Sequence, residues 1–180
     1  MEFVFLGWPA DGPQLRLDYR VFPYAGKFVM TTTGKTIARE GELVCGAVCF
    51  NEDRTTPDRS WIRYVTVRRG RRGERVGPRL VSATTKHLHE AGYSAVAIAV
   101  NNPYAYVAMH RAGFGFSGDT TGIAEVVLTT AAAREPARFR AGMAVLCAQA
   151  RPDPPALEYV AQWMRRDPPD LVNSPDLVVR

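Results

Sequence analysis

Tyr64-Val-Thr-Val-Arg-Arg-Gly-Arg-Arg-Gly-Glu-Arg-Val-Gly-Pro-Arg79 is the stretch whose reading decides the fold. It predicts a strand that runs into a loop of glycine and arginine, and the loop opens a helix near Pro78, since proline fits a first helical turn whose N–H groups have no partner. Downstream, Leu80 to Gly92 continues the helix, Ser94 to Asn101 is nearly continuously apolar like a strand buried on both faces, and Pro103 onward reads as a second helix. The order is a strand–helix–strand unit with an anion site at its turn. Gly73 and Gly77 remove side chains where a backbone would approach a ligand, and the helix start points unpaired N–H groups and a positive dipole end into the loop. Arg68, Arg69, Arg71, Arg72, Arg75 and Arg79 stand there against Glu74 alone, which accounts for the whole formal net charge of +5. The positive charge of the chain is local.

Three phosphate-loop readings and one bland one compete for this turn. A Walker loop requires Gly followed five residues later by Gly-Lys-Ser/Thr; Gly34-Lys35-Thr36 has Val29 where the first glycine belongs. A dinucleotide fingerprint requires three glycines at fixed offsets and a later acid, and neither is present in that form. A solvated basic turn explains the arginines but not their place at a strand-to-helix junction.

The third phosphate reading is a family resemblance. Val67, Arg72 and Gly77 at intervals of five, then a helix, a strand, Asn102, Ala105 and Gly113-Phe114, resemble the acyl-coenzyme A site of the GNAT superfamily of N-acetyltransferases over residues 36 to 130. The family's Arg/Gln-x-x-Gly-x-Gly/Ala loop is matched by Arg72-Gly73-Glu74-Arg75-Val76-Gly77, with Arg75 in place of the middle glycine. The family's Asn-x-x-Ala-x-x-x-Tyr-x-x-x-Gly-Phe is matched at Asn102, Ala105, Gly113 and Phe114, with Met109 in place of the tyrosine that protonates the leaving thiolate. Methionine donates no proton. Tyr106 shares the face of Met109, and His110 is its neighbour in sequence, so these two are the candidates for the catalytic acid.

The resemblance implies a GNAT-like α/β fold: a mixed, mainly antiparallel sheet of six or seven strands flanked by helices and splayed at its central strands. It implies acetyl-CoA or another acyl-CoA as cosubstrate, no metal, and an amine acceptor. The backbone of Val65, Thr66 and Val67 would carry the pantetheine arm. Arg72, Gly73, Glu74, Arg75, Val76, Gly77 and Pro78 would hold the pyrophosphate, and Asn102 would complete the cofactor site. The first strand and the segment after it would form the acceptor side, which makes Tyr19, Phe22, Tyr24 and Phe28 either pocket-lining or core residues.

Composition sets the outer bounds. The apolar fraction of 46% and charged fraction of 23% are those of a globular chain of 180 residues, long enough for a full core. No apolar run of membrane-spanning length and no basic leader is present, so a cytoplasmic protein without membrane contact is expected. Cys45, Cys49 and Cys147 are too few and unevenly placed for a disulfide framework or a zinc site, and His87 and His89, two apart, point in different directions. The arginine loop has no interleaved aromatics of the kind that stack bases, which argues against a nucleic-acid partner.

In chain order, the sequence predicts a first strand over Glu2 to Trp8 ending at the Pro9 to Pro13 breaker. Leu15 to Val21 alternates with the strand period, although the resembling family places one or two helices there. A hairpin over Thr36–Arg39 and Leu43–Phe50 turns at Glu40-Gly41, and a strand covers Trp61 to Val67. Helices over 78–91 and 103–112 enclose the 94–101 strand, and a closing hairpin pairs Phe114–Phe116 with Ile123–Thr129 across a Ser117–Gly122 turn. Residues 1–130 read as the catalytic domain and 131–180 as a helical extension. That extension has helices over 137–150 and after Asp153, with a tail from Asp167. Its helices have three places to pack: on their own sheet, on a second copy in a homodimer, or over the acceptor cleft.

The function implied is acyl-CoA-dependent N-acyl transfer, most simply acetyl transfer to a primary amine by direct attack in a ternary complex. The alternative is a catalytically silent CoA-binding or regulatory relative, suggested by Met109 and by the lack of a carboxylate base. Glu42, Glu52 and Glu125 are the carboxylates the sequence leaves unplaced.

Overall fold

The computed structural model describes every residue except Pro13, Ile123 and Arg180, so Pro13 of the predicted breaker and the first residue of the predicted closing strand lie outside it. The fold is the expected mixed α/β class, with eight strands, mostly antiparallel, and four α-helices among the described residues. The chain divides into two compact units: residues 1–96 with 172–180, and residues 97–171.

In the first unit β1 (Glu2–Gly7), β2 (Gly34–Glu40), β3 (Leu43–Glu52) and β4 (Arg59–Val67) form an antiparallel meander. The Glu40-Gly41 turn falls where its residue types require, with Gly41 at φ +56°. Helix α1 (Val76–Glu90) covers one face. Alternation along β1 separates the two faces: Phe3 and Phe5 meet Arg79 and His87 of α1, while Val4 joins Phe28, Ile37, Ala47 and Cys49 in a cluster on the other. Both Cys45 and Cys49 are buried, as packed rather than reactive thiols, and burial pushes the Cys49 thiol up to about 11.

Two expectations for this unit need correcting. Leu15 to Val21 is not a strand: Leu15 and Leu17 do point alternately inward onto the Phe28 cluster, but among the described residues the segment makes no ladder. Asp18 instead ends it in a turn, accepting from the N–H groups of Arg20, Val21 and Phe22. Nor is there an α-helix before β2 among the described residues; a short 3-10 turn over Ala25–Phe28 takes its place. The alternation was therefore real while the ladder was not, because burial on one side produces the same pattern. The second correction is the tail, where Val178–Val179 (β8) pairs in parallel with Val4 and Phe5 and Lys86 bonds Asp176 at 2.8 Å. This takes the strand count beyond the six or seven expected.

In the second unit β5 (Ala95–Val100, its first two residues closing the first unit), β7 (Glu125–Thr129) and β6 (Gly115–Thr121) pair antiparallel in that order. The predicted Ser117–Gly122 turn is mostly strand. Helix α2 (Pro103–Arg111) follows β5, and α3 (Pro136–Ala150) packs on β6 and β7 through Phe139, Met143 and Leu146, so this helix covers the sheet of its own unit. Helix α4 (Pro154–Met164) starts where Asp153 accepts from the Ala156 N–H at 3.1 Å, as its sequence predicts. Only Ala156 of α4 is fully buried, and Leu157 is 47% exposed.

Gly142 fixes the spacing of α3 from its neighbours: a Cβ there would collide with the Tyr106 hydroxyl and would lie 2.6 Å from the Phe116 ring. Gly142→Ala should cost about 1–3 kcal/mol as an overpacking change, read as a lowered urea midpoint at unchanged slope.

Candidate functional site

Val65, Thr66 and Val67 end β4 opposite Val48, Ala47 and Gly46. The Arg68 N–H then donates to the Cys45 carbonyl and the Arg69 N–H to the Val21 carbonyl, both at 2.9 Å, so the chain is pinned as it leaves the sheet. A single 3-10 turn over Arg69–Arg71 follows. Arg71 grips Glu40 with both terminal nitrogens at 2.7 and 2.8 Å and Glu74 with Nε at 2.7 Å. These bonds hold the guanidinium protonated beyond its ordinary range and keep the Glu40 carboxyl below its usual one. Of the six loop arginines, this one ties the loop to the end of β2. Arg68 and Arg79 lie over the rings of Phe22 and Phe3 at 5.6 and 5.1 Å, while Arg69, Arg72 and Arg75 are exposed.

Helix α1 starts at Val76, two residues before the proline that marked it in the sequence. Pro78 still lies within the first turn, where a missing N–H costs nothing. The N-terminal flanking residue is Arg75, at φ 58° and ψ 21°, the left-handed conformation that L residues adopt at a cost. This is the position at which the resembling loop carries glycine, so the backbone keeps glycine's conformation with an arginine side chain. Gly73 (φ +86°) opens the loop into free space. Gly77 has the opposite role: a Cβ there would sit 3.3 Å from Val67 Cγ2, and one on Gly46 would sit 3.2 Å from both the Thr66 carbonyl and Val76 Cγ1. The first turn of α1 is pressed onto β3 and β4 through two glycines, and its first N–H groups have no helical partners. Val65–Val67 and Arg72–Pro78 thus form one continuous corner of the first unit, with the Thr66 hydroxyl bound to the Pro23 carbonyl at 2.8 Å.

The remaining predicted site residues belong to the second unit. The Asn102 side chain accepts from the Ala105 N–H at 2.9 Å, with Pro103 behind it, so the Asn-x-x-Ala spacing is first of all a helix cap. Tyr106 is fully buried and its hydroxyl donates to the Phe139 carbonyl at 2.9 Å, with burial pushing its pKa up. His110 is also fully buried, 4.6 Å from the Tyr106 ring and 4.7 Å from Phe139, and neither ring nitrogen has a hydrogen-bond partner. Burial first, and the nearby Arg134 second, depress its pKa to about 3. Met109 is buried in the same core.

The carboxylates left open by the sequence are now placed. Glu42 lies exposed in the β2–β3 turn, Glu52 accepts from the Tyr93 hydroxyl at 2.9 Å, and Glu125 accepts from Thr121 at 2.8 Å. Lys35, the lysine of the incomplete Walker pattern, is buried at the start of β2 and donates to the Met30 and Thr33 carbonyls at 2.6 and 2.8 Å and to the Thr33 hydroxyl at 3.2 Å. His87 packs on Phe5, and His89 Nδ1 lies 2.8 Å from the Tyr93 carbonyl. Among the described residues no group of His, Cys, Asp and Glu is placed to hold a metal.

Of the four aromatics expected on the acceptor side, Phe22 and Phe28 are core, while Tyr19 and Tyr24 are 75% and 58% exposed. Tyr24 stands in the left-handed conformation (φ 58°), its ring 5.9 Å from that of Tyr64. Sequence reasoning passed over Lys27, whose ammonium lies 5.6 Å from the Tyr64 ring. Its only trace in the sequence is a lysine three residues after a tyrosine in a tight turn.

Known proteins share this fold. The family model described as the acetyltransferase (GNAT) family matches residues 4–116. Among solved structures, an acetyltransferase of Bacillus subtilis in complex with CoA aligns at 13% identity with a TM-score of 0.55, covering 71% of this chain and 96% of that one. The IAA acetyltransferase of Bacillus cereus aligns at 14% identity with a TM-score of 0.53 and the same coverage, 71% and 96%. No curated protein matches the sequence.

Two outcomes follow from the strained and the buried residues. Arg75→Gly should be more stable than Arg75→Ala by about 1 kcal/mol in urea unfolding, because only glycine occupies φ 58° without penalty. His110 stays neutral in the folded chain while the unfolded chain protonates it near its ordinary 6.5, so stability is fully present above pH 6.5 and falls as pH drops toward about 3. His110→Phe should flatten the unfolding free energy between pH 6 and 4 by up to ~1.4 kcal/mol per pH unit.

Proposed function

Because the chain belongs to the acetyltransferase (GNAT) family, we propose that it transfers the acetyl group of acetyl-CoA to a primary amine through a ternary complex. The observation that carries this reading is the corner at Arg72–Gly77, where a left-handed Arg75 and a close-packed Gly77 open α1, and its first N–H groups stand without helical partners beside exposed arginines. A CoA pyrophosphate suits such a corner by charge and by hydrogen bonding. The backbone of Val65, Thr66 and Val67 carries the pantetheine arm. The CoA complex of the Bacillus subtilis neighbour supports an acyl-CoA cosubstrate.

In the proposed reaction the neutral amine nitrogen attacks the thioester carbon, and a backbone N–H of β4 donates to the tetrahedral oxyanion. The intermediate collapses with cleavage of the C–S bond, the electron pair leaves on sulfur, and the ammonium proton passes to water. A thiolate leaves readily near neutral pH, so the step proceeds without a side-chain acid. This suits a chain with Met109 at the usual donor position, with the Tyr106 hydroxyl donating to Phe139 and His110 enclosed in the core. Asn102 caps α2. Residues 1–130 make up the catalytic part and 131–180 an extension to it, and the chain acts in the cytoplasm. Met109 is also the observation that favours the second reading, a CoA-binding relative without turnover.

Calorimetric titration with acetyl-CoA, followed by thiol release against an amine panel, separates the two. Saturable binding with amine-dependent release supports the transferase; binding without release supports the silent relative; no binding removes both. Gly77→Leu should weaken acetyl-CoA binding about 30-fold or more, because its side chain forces the α1 turn off Val67 and disrupts charge-assisted hydrogen bonds. Arg72→Glu with Arg75→Glu should weaken it as well, without touching that packing.

A further inference from the structure

We infer that the acceptor amine also carries a carboxylate, which the first unit holds on the sheet face turned away from α1. The inference rests on the transferase reading above and concerns its second substrate. The face is marked by Tyr64, which lies opposite Cys49 and against the Phe28 cluster. Register shifts between Cys49 and Phe50, so that Tyr64 pairs with Cys49 and Ile62 with Phe50, leaving Arg63 as the extra residue of a bulge. A bulge re-aims the side chain it carries: Arg63 Nε donates to Asn51 at 2.6 Å, and its guanidinium lies 5.3 Å from the Trp61 ring.

Lys27 stands over Tyr64, the residue that follows Arg63. Among the described residues neither Lys27 nor Arg63 has a carboxylate in ion-pair range, whereas the neighbouring Arg59 is paired with Asp53. Lys27, over Tyr64, and Arg63, over Trp61, are thus two cations without an ion pair beside one strand, with Asp53 acting on Arg63 from beyond ion-pair range and the Tyr24 ring against that of Tyr64. The exposed Tyr24 stands beside Tyr64 with a left-handed backbone, its carbonyl accepting from the Lys27 N–H at 2.8 Å, so one turn places both Tyr24 and Lys27 on this face.

The chemistry that complements this surface is an anion that accepts from a guanidinium or an ammonium and is joined to an apolar or ring-bearing stem. A carboxylate meets that description. The same cations also bear on the missing base: they disfavour a second positive charge beside them, so an amine bound here by its carboxylate tends to lose its proton. Recognition and deprotonation then share a cause, and no general base is required.

The test compares matched acceptors, glutamate against its diamide and a peptide with an N-terminal acidic residue against its amidated counterpart, by thiol release from acetyl-CoA. The carboxylates should show kcat/KM at least about tenfold higher, the scale of one charge-assisted hydrogen bond. Lys27→Gln with Arg63→Gln should bring that ratio toward one, while Lys86→Gln, the charge control, should leave it in place. A readout without turnover is calorimetric titration of the CoA-loaded protein with N-acetylglutamate and with its diamide, where only the acid should bind and the double variant should bind it at least about tenfold more weakly. Equal use of both members of each pair, or a ratio unmoved in the double variant, overturns the inference while thiol release from other amines leaves the transferase standing. Failure to bind acetyl-CoA overturns both.

Discussion

The contact on which this architecture depends is the close approach of α1's first turn to β3 and β4. Gly46 and Gly77 allow it from the two sides: a methyl group on either would press on Val67, Val76 or the Thr66 carbonyl. That proximity fixes where the helix begins and which way its unpaired N–H groups point, and it obliges the chain to leave β4 and reverse within nine residues, from Arg68 to Val76. A reversal that tight needs a left-handed residue, and Arg75 supplies it. Backbone strain and the charge on its side chain thus come together at one position.

The arginines divide their duties by distance from that turn. Arg71 is held by two carboxylates and acts as a fastener, Arg68 and Arg79 lie over aromatic rings, and Arg69, Arg72 and Arg75 remain free toward solvent. A count of charge from the sequence treats all six alike. In the folded chain only some of them raise the local potential, and one holds the loop that displays the others.

What was legible in the sequence follows from which constraints are local. The β2–β3 hairpin, the cap at Asp153 and the buried β5 could be read because their causes lie within a few residues: a glycine at positive φ, a side-chain acceptor before a helix, a run of apolar residues. Leu15 to Val21 misled because one-sided burial and strand pairing leave the same alternating trace, and only the distant Phe28 cluster decides between them. The short strand at Val178–Val179 had no trace at all, since two valines become a strand only when β1 is beside them. Likewise Tyr106 and His110 were candidates because of their offset from Met109; that Tyr106 donates to Phe139, thirty-three residues on, is a fact of α3 and could not be read from α2. The face bearing Lys27 and Arg63 depends on a bulge, and a bulge shows only in register.

The parallel pairing of β8 with β1 has a consequence for the border of the sheet. Without those two residues the outer rim of β1 would offer unpaired N–H and C=O groups next to Phe3 and Phe5, a template onto which a strand from another molecule could zip. The last turn of chain works as a selvedge, and the Lys86–Asp176 bond stitches it down from the helix side. A proteolytic nick in the 172–177 stretch would therefore be felt as a gain of stickiness along one border, with the corner at Gly77 left intact.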